Sequence, residues 1–471
     1  MKLLLTHAYF IGEDAAEQKI MKPYPPLGLL SISAYLEDQS IDHQLFDSTF
    51  FNETDWMNAV REQNPEVIAF YVNLMTKVKV LQLIKKIKDQ PDLKQIQFIL
   101  GGPDVSYNWE NYLNHGADFI VIGEGEQSMV ELLDAIKQKK DFSEVSGIAF
   151  RDKAGQLIKN TPRQKIKNID ELPLPNRKKI DMSPYLKVWK THHGKSALNI
   201  STQRGCPYTC EWCSTAVYGQ SYRRRNPKMV VDEIEQLISD YGVESLWFVD
   251  DVFTVSHKWI EQFANEMRER NLQIPFECIT RAERMDETVL KNLKYAGCFR
   301  IWIGAESGSQ RIIDLMKRQV DIRKVAEMMH LTKTFEIETG TFIMLGYPTE
   351  TIEDIERTID YLKVANPDYF TITLAYPIKG TALYHRLEDQ LIMKDDWATS
   401  TDREIDFKRT YPKPFYKHAI RKVVNEVQFH KAKKEGAGLQ LPFLSKKLKA
   451  SLSALMMNFI LFNSNQVISQ D

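Results

Sequence analysis

Cysteine is scarce in this chain, and the few cysteines are unevenly placed. Only five of the 471 residues are cysteines, and three of them, Cys206, Cys210 and Cys213, lie within one stretch of eight residues. A disulfide framework spreads its cysteines along a secreted chain, whereas a metal site gathers them. The distribution therefore excludes a disulfide-stapled fold and points to one metal centre.

The first residues do not show the pattern of a secretory leader, and the chain has no large excess of basic charge. Met1 leads directly into the strand-like run Leu3–Leu5, with no charged, apolar and small-residue segments in succession. We therefore expect a cytoplasmic protein. The formal net charge is −1, which argues against bulk electrostatic binding of nucleic acid, and no nucleic-acid partner is expected.

Residues 1–160 alternate between short apolar runs and helical stretches. This alternation predicts an α/β domain, a doubly wound parallel sheet with helices on both faces. Val145–Arg151 and Gln156–Lys159 are predicted to close it as a hairpin. The other predicted strands are Leu3–Thr6, Gln44–Phe46, Val67–Tyr71, Phe98–Leu100 and Phe119–Ile122, and helices are predicted to begin near Leu27, Thr54, Met75, Tyr107 and Gln127.

The rest of the chain divides into three segments. Residues 161–195 contain four prolines and weak periodicity, which is typical of a linker. Residues 196–395 contain six strand–helix units, which predict a partial (β/α)6 barrel with its chemistry at the carboxyl ends of the strands. Residues 396–471 are predicted to be mostly helical. The predicted barrel strands are Leu198–Gln203, Ser245–Val249, Phe276–Thr280, Arg300–Ile303, Thr341–Met344 and Tyr369–Thr373.

The cysteine motif directly follows the first barrel strand. Three thiolates at this spacing bind three irons of a four-iron, four-sulfur (4Fe-4S) cubane and leave the fourth iron open. A structural zinc site needs a fourth ligand, which His192 or His193 could supply from before the strand. A barrel with an inert structural metal is the non-enzymatic alternative.

At the segment Cys206–Cys213 the sequence resembles the radical S-adenosylmethionine (SAM) superfamily. The signature of that superfamily is three cysteines with an aromatic residue before the last, and Trp212 fills this position, where it is expected to contact SAM. The resemblance implies that SAM chelates the open iron. One electron, from a donor such as flavodoxin or ferredoxin, then cleaves SAM to a 5′-deoxyadenosyl radical.

Polar residues at later strand ends are candidates for the rest of the SAM site. Asp250 and Asp251 match the family segment that holds the SAM amino group, although a helix N-cap is the simpler explanation. Arg281 suits the SAM carboxylate by bidentate pairing. Glu306 could accept hydrogen bonds from the ribose hydroxyls. Ile343 matches the adenine-contacting segment, although a core position is the better explanation of this residue taken alone.

Three arginines and two further cysteines have less specific interpretations. The run Arg223–Arg225 could also serve the SAM carboxylate, or it could be a solvated basic stretch. Cys278 and Cys298 are predicted to be buried in the core, where free cysteine is common.

Glycines follow two strands of the N-terminal sheet. Such glycines let a ligand approach the backbone at the carboxyl edge of a doubly wound sheet, whereas alone each pair could simply make a turn. Together they resemble the cobalamin-binding domain that precedes the barrel in one radical SAM subfamily. His7 lacks the aspartate and the glycine spacing of the base-off signature, so no lower histidine ligand is expected. The resemblance implies cobalamin contacts at Gly101, Gly102, Gly123, Glu124, Gly125 and Glu126.

The resemblance implies a cobalamin-dependent methyltransferase that acts on an unactivated carbon of a small-molecule or lipid-like substrate. The alternative is cyclisation, rearrangement or another hydrogen abstraction, with the cobalamin domain used differently or vestigial. A transfer RNA methylthiotransferase would carry three more cysteines in its N-terminal domain, and no cysteine precedes Cys206. The sequence identifies neither the substrate nor a general base.

The C-terminal segment carries an apolar stripe at helical spacing. Such a stripe commonly packs onto the rest of the protein, and the alternative is peripheral contact with a membrane interface, at the inner face of the membrane. The apolar end Ala454–Phe462 is too short to span a bilayer. The stripe consists of Leu444, Leu448, Leu452, Leu455, Met456 and Phe459, with Lys446, Lys447 and Lys449 toward the other side.

Overall fold

The computed structural model describes residues 1–393, 396–436 and 440–468. The predicted boundary at residue 395 lies outside them. A seven-stranded sheet of order β2-β1-β3-β4-β5-β6-β7 forms the N-terminal domain. The first five strands are parallel, and β6 and β7 form the predicted antiparallel hairpin. The strands are β1 (Leu3–His7), β2 (Gln44–Phe46), β3 (Val67–Tyr71), β4 (Gln97–Gly101), β5 (Phe119–Val121), β6 (Ile148–Arg151) and β7 (Leu157–Lys159), and the helices are α1 (Ala15–Ile20), α2 (Leu27–Asp38), α3 (Glu53–Gln63), α4 (Lys77–Lys88), α5 (Val105–Asn114) and α6 (Gly125–Gln138).

Both faces of this sheet are buried, which is why its strands are continuous apolar runs. Successive side chains alternate between two separate cores. Ile68 and Phe70 pack in one core, and Val67 and Ala69 pack in the other. The predicted doubly wound sheet is confirmed.

The segment predicted as a linker contains a helix, α7 (Ser183–His193), which the prolines concealed. Pro184 lies in the first turn, where its missing N–H has no helical partner to lose. Buried Tyr185 and Trp189 anchor the helix, and the Trp189 indole donates to the carbonyl of Pro23, 2.7 Å away. The segment therefore packs against the N-terminal domain instead of crossing solvent.

The second domain is an open half-barrel of six parallel strands in the order β15-β14-β13-β12-β11-β8. The predicted (β/α)6 partial barrel is confirmed. A short antiparallel ribbon, β9 with β10, follows the first strand. The strands are β8 (Ala197–Ile200), β9 (Gln203–Arg204), β10 (Arg223–Arg224), β11 (Ser245–Phe248), β12 (Phe276–Thr280), β13 (Cys298–Ile303), β14 (Glu338–Leu345) and β15 (Tyr369–Leu374), and the helices are α8 (Pro227–Tyr241), α9 (His257–Glu269), α10 (Glu287–Ala296), α11 (Gln310–Leu315), α12 (Ile322–Thr334), α13 (Ile352–Ala365) and α14 (Ala382–Arg386).

Alternation along the barrel strands separates a core face from a lumen face. Ile301 and Ile303 pack against the helices, together with Cys278 and Cys298, which are buried as predicted. Trp302 lies on the other face and stacks on Phe342 of the next strand, with 5.1 Å between ring centroids. The lumen is therefore aromatic and partly open.

The C-terminal region begins with a two-stranded ribbon, β16 (Leu391–Ile392) with β17 (Asp406–Phe407), and continues as the helices α15 (Lys413–Lys434) and α16 (Leu441–Ile468). Helix α15 buries Phe415, Tyr416 and Val423 in the barrel core. Helix α16 lies along α15 but turns its apolar stripe away from the protein, so the expectation that the stripe packs onto the barrel is wrong. Within the described residues, every helix falls short of the length and apolarity that crossing a membrane requires.

Candidate functional site

Glu211, in the middle of the cysteine motif, anchors the cysteine loop to residues on the opposite side of the barrel mouth. This carboxylate is 3% exposed and accepts hydrogen bonds from the Tyr347 hydroxyl at 2.5 Å and from the Arg386 guanidinium at 2.9 and 3.0 Å. Its backbone N–H donates to the Met316 carbonyl, and its own carbonyl accepts from Leu383. The middle of the motif is thus held in position by residues that follow β14 and α11 and by residues of α14.

Two guanidinium groups face the thiol of Cys210. Arg281 Nη1 lies 3.3 Å from Cys210 Sγ, and Arg318 Nη1 lies 3.9 Å from it. Burial raises the pKa of the Cys206 and Cys213 thiols, that of Cys213 to about 12. Iron coordination would therefore be needed to hold these two sulfurs as thiolates.

The donor set fits a 4Fe-4S cluster better than a zinc ion. Within the described residues, no three His, Cys, Asp or Glu side chains gather around a single-ion site. His193 bonds the Met21 carbonyl through Nε2 at 2.9 Å, and it precedes the amino end of β8, whereas the cysteines follow the carboxyl end. His192 adjoins it on the same helix end. Neither histidine can therefore supply a fourth ligand.

Asp250 and Asp251 have different environments. Asp250 is 2% exposed and accepts hydrogen bonds from the backbone of Thr202 at 2.8 Å and of Gln203 at 3.1 Å. Its carboxylate is therefore committed to the end of the first barrel strand. Asp251 lines an open cavity of about 370 Å³ together with Cys206. The surrounding protein and the Asp250 carboxylate raise the pKa of Asp251.

Glu306, Arg281 and an unpredicted residue, Arg318, converge at the mouth of the lumen. Arg318 Nη1 lies 3.6 Å from Glu306 Oε1, and Arg318 Nη2 donates to the Gly304 carbonyl at 2.7 Å. Burial raises the pKa of Glu306, although Arg318 and Arg281 oppose this effect. These side chains form a buried polar group on the barrel side of the cysteine loop.

Backbone strain surrounds this group. Glu306 has φ +66°, and the residues on either side of Arg318, Lys317 and Gln319, have φ +51° and +56°. Such conformations are costly for residues other than glycine and collect at functional sites. A Cβ at Gly304 would lie 2.5 Å from Arg318 Nη2, so a side chain there would displace the Arg318 guanidinium from this position.

The segment predicted to contact adenine has Ile343 on its core face and Phe342 on its lumen face. The Ile343 side chain is 2% exposed and packs in the core between sheet and helices. Phe342, its neighbour, lies on the lumen face in the stack with Trp302. Trp212 packs partly against the core, with its ring centroid 5.8 Å from the Arg318 guanidinium.

The arginine run Arg223–Arg225 is structural and is not solvated. Arg224 stacks on Trp259 with its guanidinium carbon 3.5 Å from the ring centroid. Arg225 Nη1 lies 2.5 Å from the buried carboxylate of Glu233, which Arg177 also contacts at 2.7 Å. Neither expected role applies to Arg224 and Arg225. Arg224 packs on α9, and Arg225 links α8 to the end of the first barrel strand through the Ser201 carbonyl.

The glycines of the N-terminal domain line one crevice of about 210 Å³ at the carboxyl edge of the sheet. All six residues predicted to contact cobalamin line this crevice. Gly102 has φ +111°, and a Cβ at this position would collide with the backbone carbonyl of Val72. Gly101 has only Val121 near its missing Cβ, at 3.9 Å. Gly101 thus leaves room for a ligand, whereas Gly102 is required by the fold itself. The lining residues include Gly28, Tyr71, Gly101, Gly102, Gly123, Glu124, Gly125, Glu126, Val217 and Tyr218.

Glu124 and Glu126 are bound by arginines of the barrel domain. Arg223 Nη1 lies 2.8 Å from both carboxylate oxygens of Glu124, and Arg204 pairs with Glu124 at 3.0 Å and with Glu126 at 2.5 Å. Burial acts to raise the pKa of Glu124, but Arg223, the Ile166 N–H and Arg204 together bring it below its usual value. The two carboxylates join the domains beside the crevice.

His7 does not face the crevice. Its ring is 3% exposed, and Nε2 lies 2.8 Å from Asp47 Oδ1. Its Nδ1 accepts from the Tyr9 N–H at 3.1 Å. Both nitrogens are engaged within the protein, in agreement with the expectation that His7 is no cobalamin ligand.

The crevice and the cysteine loop share a wall. Val217 and Tyr218 follow the last cysteine of the motif by a few residues and line the crevice opposite the glycines. The Ser106 hydroxyl of the N-terminal domain donates to the Ala216 carbonyl at 3.2 Å. A ligand in the crevice and a metal cluster on the loop would therefore be neighbours.

Family comparisons agree with this arrangement. Residues 200–362 match the model of the radical SAM superfamily, and residues 18–133 match the model of the B12 binding domain. The chain belongs to the radical SAM enzymes that carry a cobalamin-binding domain. Its cofactors are accordingly a 4Fe-4S cluster, SAM and cobalamin, and as a radical SAM enzyme it needs an electron donor and a small-molecule substrate.

Two relatives and one solved structure indicate the breadth of this family. An uncharacterized methyltransferase of Pyrococcus horikoshii is 26% identical over 83% of this chain and 84% of its own length. The anaerobic magnesium-protoporphyrin IX monomethyl ester cyclase of Rubrivivax gelatinosus is also 26% identical, over 84% of this chain and 71% of its own. The cobalamin-dependent radical SAM enzyme OxsB shares the fold, with a TM-score of 0.73 at 17% identity, covering 100% of this chain and 75% of that one.

Two site residues of this radical SAM enzyme were not predicted: Arg204 pairs with both crevice glutamates, and Arg318 faces the cysteine loop. Arg223, a candidate for the SAM carboxylate, instead pairs with Glu124. Arg204 precedes Cys206 by two residues and could have been proposed from that position. Arg318 lies between α11 and α12, far from any motif, and only the three-dimensional structure reveals it.

Proposed function

We propose that this enzyme transfers a methyl group from SAM, with cobalamin as the carrier, to a carbon that has no acidic proton. The observation that carries the proposal is the wall shared by the crevice and the cysteine loop. A Cβ at Gly123 would lie 3.7 Å from the carbonyl oxygen of Val217, so the crevice wall and the segment after the cysteine motif are in contact, which supports neighbouring cofactor sites. The methyltransferase named among the relatives covers both domains and supports the same reaction class.

The chemistry requires two cofactor sites. A carbon without an acidic proton cannot attack the SAM methyl group directly, so its hydrogen must first be removed by a radical. When bound, the cluster supplies the electron that cleaves SAM, and cobalamin carries the methyl group. The task of the protein is to position these groups and the substrate and to exclude water.

On the barrel side, we assign the cluster to Cys206, Cys210 and Cys213. Asp251 is the free carboxylate for the SAM ammonium group, because Asp250 is committed to the end of β8. Asp250 therefore affects SAM binding only indirectly, because it holds the end of β8 in position.

Arg281 provides the cation for the SAM carboxylate, and Glu306 accepts from the ribose. Arg318 neutralises Glu306 and faces Cys210 together with Arg281. The adenine lies in the lumen beside Phe342 and Trp212, and the Ile343 side chain supports this wall from the core. The polarity of each group matches the part of SAM that it is assigned to hold.

On the crevice side, Gly101, Gly123 and Gly125 provide the surface against which cobalamin packs. Glu124 and Glu126 act indirectly, because Arg204 and Arg223 occupy their carboxylates. Gly102 allows the strand end to pass Val72. The crevice thus binds its ligand by shape, with charged residues fixing the wall.

A ring-forming or rearrangement reaction is the second candidate. The cyclase among the relatives has the same sequence identity to this chain as the methyltransferase, 26%, and its match covers the same two domains. Such a reaction would use SAM only as the source of the radical and not as a source of methyl groups. The products from SAM therefore distinguish the two candidates.

The proposal includes the partners and the location. The electron donor is a small reductant such as flavodoxin or ferredoxin, and no nucleic acid takes part. The enzyme acts in the cytoplasm on a small-molecule or lipid-like substrate, with peripheral contact at the inner face of the membrane.

Transfer of label from SAM tests the proposal. The reconstituted holoenzyme is supplied with reductant, trideuteromethyl-SAM and a metabolite and lipid extract, and products are compared by mass spectrometry. We expect one or more compounds to gain an intact trideuteromethyl group with the wild type and with Cys298→Ala, but not with Cys213→Ala. Reductive cleavage of SAM without any labelled product in extracts of the native organism would contradict methyl transfer.

A further inference from the structure

The described part of α16 exposes an apolar stripe along its whole length. The side chains at seven positions, three or four residues apart, are 40–83% exposed. The opposite side of the helix is buried against α15, where Ala450, Ser453 and Met457 are at most 3% exposed. The stripe is about 30 Å long at the rise of an α-helix. Its members are Leu441, Leu444, Leu448, Leu452, Leu455, Phe459 and Phe462.

Basic residues flank this stripe on both sides. On a helix of 3.6 residues per turn, Lys447 and Lys449 lie about 100° to either side of the stripe. Neither forms an ion pair within the described residues, although Lys447 Nζ lies 5.7 Å from the centroid of the Phe429 ring. Lys446 bonds Gln428. Lysines so placed can extend their ammonium groups to a polar surface while their methylene chains cover apolar area.

Charge complementarity selects the partner. Residues 413–463 contain ten Lys and Arg but only two Asp and Glu, in a chain whose net charge is −1. Helix α16 itself has no acidic residue. A second copy of the helix would meet like charges with nothing to pair them, although the stripe has spacing that a coiled coil could use. Anionic lipid headgroups satisfy both the charge and the apolar face.

We propose that α16 lies in the interface of an anionic lipid bilayer, with the leucine and phenylalanine stripe in the acyl region and Lys447 and Lys449 at the headgroups. The helix binds parallel to the surface, because none of the described helices can cross a bilayer. This surface is separate from the cofactor sites, and the proposal does not depend on the reaction that the enzyme performs. It would bring the enzyme to substrates that reside in the membrane.

Vesicle flotation of the full chain tests the proposal. We expect the protein to float with phosphatidylcholine vesicles that contain phosphatidylglycerol, to float weakly with phosphatidylcholine alone, and to be released by high salt. The double variant Leu452→Gln, Leu455→Gln should lower the partition constant by about tenfold or more. Its matched control is Val364→Gln with Ile392→Gln, whose side chains are 64% and 59% exposed elsewhere on the surface.

The lysines provide an independent arm of the same experiment. Lys447→Gln and Lys449→Gln should each weaken binding to the anionic vesicles by roughly fivefold, whereas Lys94→Gln and Lys153→Gln, on the N-terminal domain, should not. Circular dichroism and light scattering of every variant check the fold and the oligomeric state. Equal flotation of wild type and stripe variants would overturn the proposal, and so would a dimer that the stripe variants dissociate while the wild type does not float.

Discussion

Arg223 Nη1 lies 2.8 Å from both carboxylate oxygens of Glu124, and this contact joins the barrel domain to the cobalamin-binding domain. Arg204 extends the contact to Glu126. All four side chains are largely buried, beside the wall that the crevice shares with the cysteine loop. The relative position of the crevice and the cysteine loop therefore depends on a small buried ion network.

Removal of one charge from this network should loosen the domains. Glu124→Gln leaves Arg223 and Arg204 without their full counter-charge, and breaking a buried pair in this way costs about 3 kcal/mol. Thermal unfolding should show a lower midpoint and limited proteolysis should cut first between the domains, whereas the exposed Glu110→Gln should match the wild type. A variant as stable as the wild type would show that the network does not hold the domains.

The same network should be sensitive to acid. Because the folded-state pKa of Glu124 is below its ordinary value of 4.5, its contribution to stability is complete above that ordinary value and is lost as the pH falls through the lower folded value. The difference in unfolding free energy between wild type and Glu124→Gln should therefore shrink below about pH 4.5. A difference that stays constant down to pH 3 would contradict this assignment.

A side chain at Gly101 should block the crevice without harming the fold. The missing Cβ has only Val121 within ordinary contact distance, and Gly101 ends a β-strand, where valine is well tolerated. Gly101→Val should lose hydroxocobalamin binding by at least about tenfold in equilibrium dialysis while iron content stays unchanged. The control is Gly12→Val, a site with free space around it. Unimpaired binding by Gly101→Val would place cobalamin elsewhere.

Arg281 should set the potential of the cluster. Its guanidinium lies 3.3 Å from Cys210 Sγ, and a neighbouring positive charge favours the reduced, more negative cluster. Arg281→Gln should shift the midpoint potential to more negative values by roughly 50–100 mV, from the loss of one nearby charge at an intermediate effective dielectric constant. Arg281→Lys should recover part of the shift. Spectroelectrochemistry that shows equal potentials would mean that Arg281 only shapes the loop.

Prediction from the sequence was most accurate where a local apolar pattern or a local spacing of metal ligands determines the structure. The six barrel strands, the sheet of the N-terminal domain and the cysteine loop follow from alternation of apolar runs and from ligand spacing. The face of a strand on which a given side chain lies was harder to predict. Ile343 was proposed as an adenine contact with a core position as its alternative, and the structure places its side chain in the core and that of Phe342 on the lumen face, because successive residues of a strand face opposite sides.

Contacts between residues that are far apart in the sequence were the second feature that could not be predicted. Asp250 and Asp251 look equivalent in the sequence, and only the return of β8 to Asp250 separates their roles. Glu124 looked like a ligand contact because its barrel partner Arg223 is 99 residues away. The stripe on α16 was recognised, but the direction it faces depends on how α15 packs, which no local pattern encodes.

The amounts of the two products derived from SAM test the central claim most directly. A substrate that accepts label is incubated with the reduced holoenzyme, and S-adenosylhomocysteine and 5′-deoxyadenosine are quantified together over several turnovers. Cobalamin-dependent methyl transfer uses one SAM as the methyl source and a second as the radical source. We therefore predict that both products accumulate in about equal amounts and in step with the methylated product. Substrate-dependent formation of 5′-deoxyadenosine, with S-adenosylhomocysteine at background, would contradict methyl transfer and favour cyclisation or rearrangement.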